Sequence, residues 1–190
     1  MLEFFKSIDQ SIFLFLNNLH ADWLDPYVFS LTNAIMWLPL FLVVIGAIIN
    51  HYRWQSVTLL LLLIVVIVLA DQISASIIKP LVGRIRPTHD PELIPFVHTV
   101  NGYKGGIYSF VSSHAANAFG IATFLWLALR KRINWIWIMF IWACLFSYTR
   151  IYLGVHYPGD ILFGGLLGAL IGWSTYWLAY KIPRIRNALT

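Results

Sequence analysis

Five stretches of the chain each hold roughly 20 residues with almost no charge, enough to cross a hydrocarbon core of ~30 Å as a helix. They run from about Tyr27 to Ile49, Val57 to Ile78, Ser112 to Leu129, Trp135 to Ile151 and Pro158 to Tyr180. Inside a bilayer every backbone polar group must be satisfied within its own segment, so runs of this length fold as helices. A soluble domain is about a quarter charged; here 11% of residues are charged and 59% are hydrophobic. The expected fold is therefore all-α: a polytopic membrane helical bundle of about five spans, with residues 1–190 as a single domain. Tryptophans at 23, 37, 54, 126, 135 and 173 fall mostly near span ends, where an aromatic belt would sit.

The segments between the spans are short, with two exceptions. In the first 25 residues, Phe4, Phe5, Ile8, Ile12, Phe15, Leu16 and Leu19 recur at helical spacing. Glu3, Lys6 and Asp9 interrupt the apolar run and no small-residue cleavage site follows, which argues against a signal peptide. An amphipathic helix lying at the interface is expected there, with a short first span as the alternative. Asp25-Pro26 reads as an N-cap followed by a first-turn proline. The second exception, residues 79–111, carries Pro87, Pro91, Pro95, Gly102, Gly105 and Gly106, which predict mostly irregular structure. The single cysteine, Cys144, excludes an intrachain disulfide. The net charge of +5 is not a nucleic-acid signal, because the basic residues stand at the ends of apolar runs. Asn33 and Asn117 are expected to hydrogen-bond between helices.

Five spans place Arg53, Arg130, Lys131, Arg132, Lys181, Arg184 and Arg186 on one side of the membrane. Lys6, Lys79, Arg84, Arg86, Lys104 and Arg150 fall on the other. The first set has no visible role except anchoring, so that side is expected to be cytoplasmic. The 79–111 segment then faces outward.

Three stretches meet on that outer side. Lys79 and Arg86 stand at the end of the second span. Ser109-Phe110-Val111-Ser112-Ser113-His114 opens the third span, where Ser112 or Ser113 would cap the helix and free amides would point at any anion placed there. Arg150, His156 and Asp160 lie between the fourth and fifth spans. Pro158 suits a first helical turn, which puts His156 just before the helix and Asp160 inside its first turn. A carboxylate bonded to one ring nitrogen leaves the other free to attack or to accept a proton. Lys79, Arg86 and Arg150 supply three positive charges, Ser112 and backbone amides supply neutral donors, and the two histidines supply acid–base and nucleophilic chemistry. This is what phosphoryl transfer needs. The outer side has few carboxylates, and the loop holding His89, Asp90 and His98 lacks metal-ligand spacing, so no metal and no cofactor are expected. Asp71, an acid inside the second span, either pairs within the bundle or supports the site from behind.

The order Lys79-x6-Arg86-Pro87, then Ser112-x-His114, then Arg150-x5-His156-x3-Asp160 resembles the type-2 phosphatidic acid phosphatase superfamily. The resemblance implies His156 as a nucleophile that forms a phosphohistidine, Asp160 as the group that orients it, and His114 as the acid that protonates the leaving group. It implies that Lys79, Arg86, Ser112, Arg150 and the Ser113 amide hold the phosphate. Three positions depart from the family pattern, one of them Thr149, which stands where serine usually precedes the arginine and keeps the hydroxyl. Val111 and Ser113 stand where proline and glycine are usual, and serine for glycine restricts the backbone at the Ser113 contact. The expected activity is hydrolysis of the terminal phosphate of a membrane lipid phosphate or diphosphate, in a bacterial inner membrane with the site facing the periplasm or exterior. Undecaprenyl diphosphate is the first substrate expected. Phosphatidylglycerol phosphate, phosphatidic acid, the lipid A phosphates and transfer to an acceptor lipid are the alternatives, and a non-enzymatic lipid-binding protein would have no need of the histidine–aspartate pair. Lipids are the expected partners; nothing in the sequence sets an oligomeric state.

Overall fold

The computed structural model describes residues 2–183, 185 and 186; of Leu2 only the backbone is described, and Arg184, counted above among the cytoplasmic cations, lies outside them. Its regular elements are helical. They are α1 (Leu2–Asn17), α2 (Asp25–Leu31), α3 (Leu38–Tyr52), α4 (Gln55–Val82), α5 (Ser113–Leu129), α6 (Ile138–Tyr152) and α7 (Pro158–Tyr180). Short 3₁₀ turns, Ala34–Trp37 and Asn134–Trp137, precede α3 and α6 and extend them to 19 residues each. Among the described residues four helices are long and apolar enough to cross a membrane, and α5 is a shorter apolar helix packed among them.

The first expected span is broken. Instead of one helix from Tyr27 to Ile49, α2 stops at Leu31, the 3₁₀ turn follows, and α3 begins at Leu38. Asn33 causes the break: it is extended, and its side chain accepts from the Ile35 amide at 3.0 Å. Pro39, in the first turn of α3, has no amide to continue a helix arriving from above. Asn33 thus caps its own segment and does not reach another helix. Asp25 is likewise no N-cap. Leu24 holds that position without a side-chain cap, and the Asp25 carboxylate accepts from the Tyr152 hydroxyl at 2.6 Å. Near its C-terminal end α4 widens into a π-helical stretch, Gln72–Ile78, a feature frequent at functional sites.

The bundle core is built on α5, wrapped by α4, α6 and α7. Its close approach to α7 comes from glycines spaced four apart. A methyl added at Gly164 would meet the Ser112 carbonyl at 2.6 Å, one at Gly172 would meet the Gly120 carbonyl at 2.5 Å, and one at Gly168 would run into the Ala116 carbonyl. Small residues of this kind let membrane helices pack backbone to backbone. The consequence is positional, since it brings the first turn of α5 against the first turn of α7. Gly168→Val should therefore lower the unfolding free energy in detergent by at least the ~1–3 kcal/mol typical of overpacking, and the midpoint with it, because the obstacle is backbone. Gly46→Ala, where an added methyl meets nothing within 4 Å, should not lower it. Equal midpoints for Gly168→Val and the parent would show that the two helices can part.

The two ends of the bundle carry the charge groups that the sequence separates. At one end the α3–α4 and α5–α6 turns meet: Arg132 donates to the His51 carbonyl at 3.1 Å and lies 4.6 Å over the Tyr52 ring. At the other end α1 docks on the body. The Asn17 side chain bonds the carbonyls of Ile151 and Tyr152 at 3.0 and 2.9 Å, and accepts from the His98 amide at 2.8 Å. Phe13 and Asn17 are buried there, while Phe4, Phe5, Ile8, Ile12, Phe15 and Leu19 remain exposed. The apolar stripe of α1 is therefore left uncovered, and Phe5, Ile8 and Ile12 line a groove shared with Leu162 and Phe163 of α7.

Candidate active site

All the residues that the three stretches contribute converge at this second end. Pro158 opens α7, and Asp160 lies in its first turn, where Oδ2 accepts from the Tyr157 amide at 2.9 Å. His156 lies just before the helix, with Nδ1 3.3 Å from the same oxygen. The other carboxylate oxygen, Oδ1, accepts from Arg84 Nη1 at 3.0 Å. A carboxylate so held only accepts, so His156 donates from Nδ1 and the lone pair lies on Nε2. Both side chains are fully buried, and Nε2 has no hydrogen-bond partner. The turn that delivers His156 passes through Gly154 at φ +74°, with Val97 and the His98 carbonyl so close that a Cβ would collide with them.

α5 starts directly opposite. Ser112 is its N-cap, with Oγ accepting from the Ala115 amide at 3.4 Å. The Ser112 amide donates to the Asp160 carbonyl at 3.0 Å, which ties the second stretch to the third. Ser113 and His114 form the first turn, where helix amides lack intrahelical partners. The His114 ring packs near Phe146, with centroids 5.5 Å apart.

The cations come from an extended piece of the 79–111 segment. The Arg86 amide donates to the Ile107 carbonyl at 3.0 Å and the Ser109 amide to the Arg84 carbonyl at 2.8 Å, around a bridge between Ile85 and Tyr108. Alternation along an extended chain puts Arg84 and Arg86 on one side, toward the site, and leaves Ile85 exposed on the other. Arg86 Nε donates to the Tyr108 carbonyl and Arg150 Nη2 to the Tyr103 hydroxyl, each at 3.0 Å. Gly105, at φ +66°, lies so close to the Arg86 guanidinium that only glycine fits. Arg86 and Arg150 are buried, and Lys79, Arg86 and Arg150 all lie close enough to act electrostatically on both histidines. None of the three pairs with a carboxylate among the described residues. Arg86 Nη1 and Arg150 Nε have no hydrogen-bond partner at all.

Arg84 is the site residue that the sequence reading passed over. Its second nitrogen, Nη2, meets the Asp9 carboxylate at 2.7 Å, and its guanidinium lies 3.8 Å over the Tyr157 ring. Asp9 also accepts from the Gly159 amide at 2.7 Å, so α1 reaches the histidine–aspartate pair through one acid. The signal available was an acid in the middle of an amphipathic helix, in a chain with surplus cations near the site. Ser109 is a second omission. It pins Arg84 and stands against both His156 and Asp160. His98, one of the residues weighed as a metal ligand, pairs with Asp25 at 3.0 Å and stacks on His20. Asn117 Oδ1 makes no interhelical hydrogen bond, contrary to expectation.

Burial, followed by Arg86, Arg150 and Lys79, holds the His156 imidazole well below its ordinary range, so it is neutral in the folded protein. The unfolded chain protonates the same ring near ~6.5. Below that pH the unfolded state binds a proton that the folded state refuses, so stability falls with pH, by up to ~1.4 kcal/mol per pH unit. His156→Gln removes this component, and its unfolding free energy should fall less steeply from about pH 6 to 5. Identical slopes in the two proteins would mean that the folded ring does take up a proton.

Known proteins resemble this chain over most of its length. A family model described as the PAP2 superfamily matches residues 56–184. A lipid A 4'-phosphatase of Bacteroides thetaiotaomicron is 38% identical over 96% of this chain and 81% of its own length. An undecaprenyl-diphosphatase of Sulfolobus acidocaldarius is 30% identical over 90% of this chain and 75% of its own. Among solved structures, a transmembrane PAP2-type phosphatidylglycerolphosphate phosphatase from Bacillus subtilis superposes with a TM-score of 0.66 at 27% identity, covering 94% of this chain and 88% of that one.

Proposed function

The chain belongs to the PAP2 superfamily and is an integral membrane lipid phosphatase, and from that premise we propose that it hydrolyses a phosphate monoester on an acylated sugar lipid of the lipid A type. The observation that carries the phosphatase chemistry is the set of three cations, Lys79, Arg86 and Arg150, grouped around an open imidazole nitrogen with no carboxylate to pair them. Buried like charges are costly unless an anion joins them, and a phosphate dianion supplies that charge with several acceptor oxygens.

In this reading His156 Nε2 attacks phosphorus in line with the ester oxygen. The N–P bond forms as the P–O bond breaks, and His114 gives its proton to the departing oxygen. Water then attacks the phosphohistidine, His114 takes the proton from that water, and inorganic phosphate leaves. Asp160 holds the Nδ1 proton and stabilises the positive ring that forms. Lys79, Arg86, Arg150, Ser112 and the Ser113 amide balance charge on the non-bridging oxygens. No step needs a metal.

The substrate assignment reverses the order expected from the sequence. Undecaprenyl diphosphate came first there because an outward-facing site suits carrier-lipid recycling. The relative named for lipid A is the more similar of the two, at 38% against 30% identity, and covers more of the chain. The excess of cations at the His51–Arg132 end without a site role supports that end as cytoplasmic, with the site in the periplasm of a bacterial inner membrane. The test is phosphate release by the purified protein from lipid A, undecaprenyl diphosphate, phosphatidylglycerophosphate and phosphatidic acid, in excess EDTA, with and without an acceptor lipid. Fastest release from lipid A at its 4' position is the expected result. Preference for another lipid overturns the substrate assignment, and activity that needs magnesium overturns the account of the site.

A further inference from the structure

Next to the phosphate site, a cavity of about 280 Å³ descends between α3, α4, α5 and α6. Ser113 and His114 belong to both. From Ser113 to Ile121 it follows α5 for eight residues, a depth of ~12 Å. Most of its wall is apolar, with Phe41, Ile67, Trp142 and Phe146 among the lining residues. The break in the first span shapes this wall. It swings Ala34 and Trp37 into the lining and sets the Trp37 ring edge-on to Trp142 at 6.2 Å.

A pocket for a bare hydrocarbon tail would be apolar throughout. This one has polar groups along its wall that the protein does not satisfy. Ser113 Oγ, Asn117 Oδ1 and Trp142 Nε1 are buried and have no hydrogen-bond partner, and the Asp71 side chain also lines the cavity. Buried polar atoms are almost always paired, and leaving one unpaired is costly. Three around one cavity mark a place where a ligand provides the partners. The inventory is specific: a donor on the indole, acceptors on the amide and the carboxylate, and both on the hydroxyl. Hydroxyl and amide groups match it, since each both donates and accepts.

The direction of the cavity settles which part of the ligand lies there. Phosphate sits among the cations, and His114 stands between them and the cavity. The group beyond His114 is the leaving group. We propose that Asn117, Trp142 and Asp71 form a leaving-group subsite that reads the hydroxyls and amides of the sugar ring bearing the phosphate, while the apolar side chains of the same wall take the start of an acyl chain. It rests on the reading of this site as a lipid phosphatase. The subsite makes the enzyme discriminate against polyprenyl monophosphates, whose hydrocarbon leaving group offers no hydrogen bonds beyond its own oxygen. A site built to bond a polar group rejects the analogue lacking it far more strongly than an apolar pocket rejects a size change.

The test compares Asn117→Leu and Trp142→Phe with the parent on lipid A, undecaprenyl phosphate and p-nitrophenyl phosphate. Asn117→Leu keeps the branched shape, Trp142→Phe keeps an aromatic ring, and each removes the polar atom. The expected result is a fall in the kcat/KM ratio of lipid A to undecaprenyl phosphate on the order of 10-fold for each variant. The ratio of lipid A to p-nitrophenyl phosphate should fall in parallel, which a general loss of folded protein does not produce. If both variants lower all three substrates alike, or none, the subsite is overturned. A parent enzyme that prefers undecaprenyl phosphate overturns the substrate assignment alone. In that case a ratio that still falls keeps the subsite, and one that holds removes it.

Discussion

His156→Ala should form no phosphoenzyme and release lipid phosphate at a rate on the order of 10⁵-fold or more below the parent, whichever lipid is offered. The expected size follows from the geometry. Only one imidazole in the site has a carboxylate behind it. Asp160 is gripped by Arg84 and by the Tyr157 amide, so it cannot swing away to serve another base. Without His156 the cations and helix amides still bind phosphate, but nothing remains to make the N–P bond. Binding without attack leaves only electrostatic help to water. His156→Gln keeps the buried volume and should be as inactive, which separates lost chemistry from a collapsed cavity. The measurement is rapid-quench trapping of ³²P from labelled lipid on parent and variants. Label retained on His156→Ala would take the nucleophile's role from this residue.

The motif residues were legible because chain order and spacing survive folding. Pro158 and Asp160 could be placed in a first turn before any coordinates, since proline needs no amide donor there and an acid suits the dipole. Ser112 as a cap followed from the same logic. The supports of those residues were not legible. Arg84 stands two residues before Arg86 and looks like another flanking cation. Only the bridge from Ile85 to Tyr108 shows that both face inward. Asp9 lies 151 residues from Asp160 along the chain, and its link to Arg84 depends on how α1 lies over the bundle. No local pattern encodes that.

The first span shows the opposite failure. Its hydropathy is unbroken from Tyr27 to Ile49, so periodicity alone predicted one helix. Asn33 and Pro39 decided otherwise, by capping one segment and starting another. The break matters to the site more than to the fold, because it brings Trp37 to the wall beside His114. Asn117 was read as a bond between helices on the general habit of membrane asparagines. Its oxygen instead has no protein partner, and the reason lies in the cavity that the break helps to open.

The two histidines should differ in how their loss depends on the substrate. His114 stands where the cations end and the cavity begins, beside Phe146 and with no acid holding it among the described residues. That position suits the group that meets the leaving oxygen. An acid there matters in proportion to how basic that oxygen becomes. A sugar or alkyl phosphate leaves as a strongly basic alkoxide, and general acid catalysis is typically worth ~10²–10⁴-fold. His114→Ala should therefore lose that much on lipid A or phosphatidic acid. A diphosphate, leaving as a phosphate-stabilised group, should lose less. p-Nitrophenyl phosphate, whose phenolate departs without a proton, should lose least, while phosphohistidine still forms on its addition. Plotting the log of the His114→Ala defect against the leaving-group pKa should give a positive slope, and the same plot for His156→Ala a flat line at a larger defect. A flat line for His114→Ala would remove it as the acid and leave it a structural neighbour of Phe146.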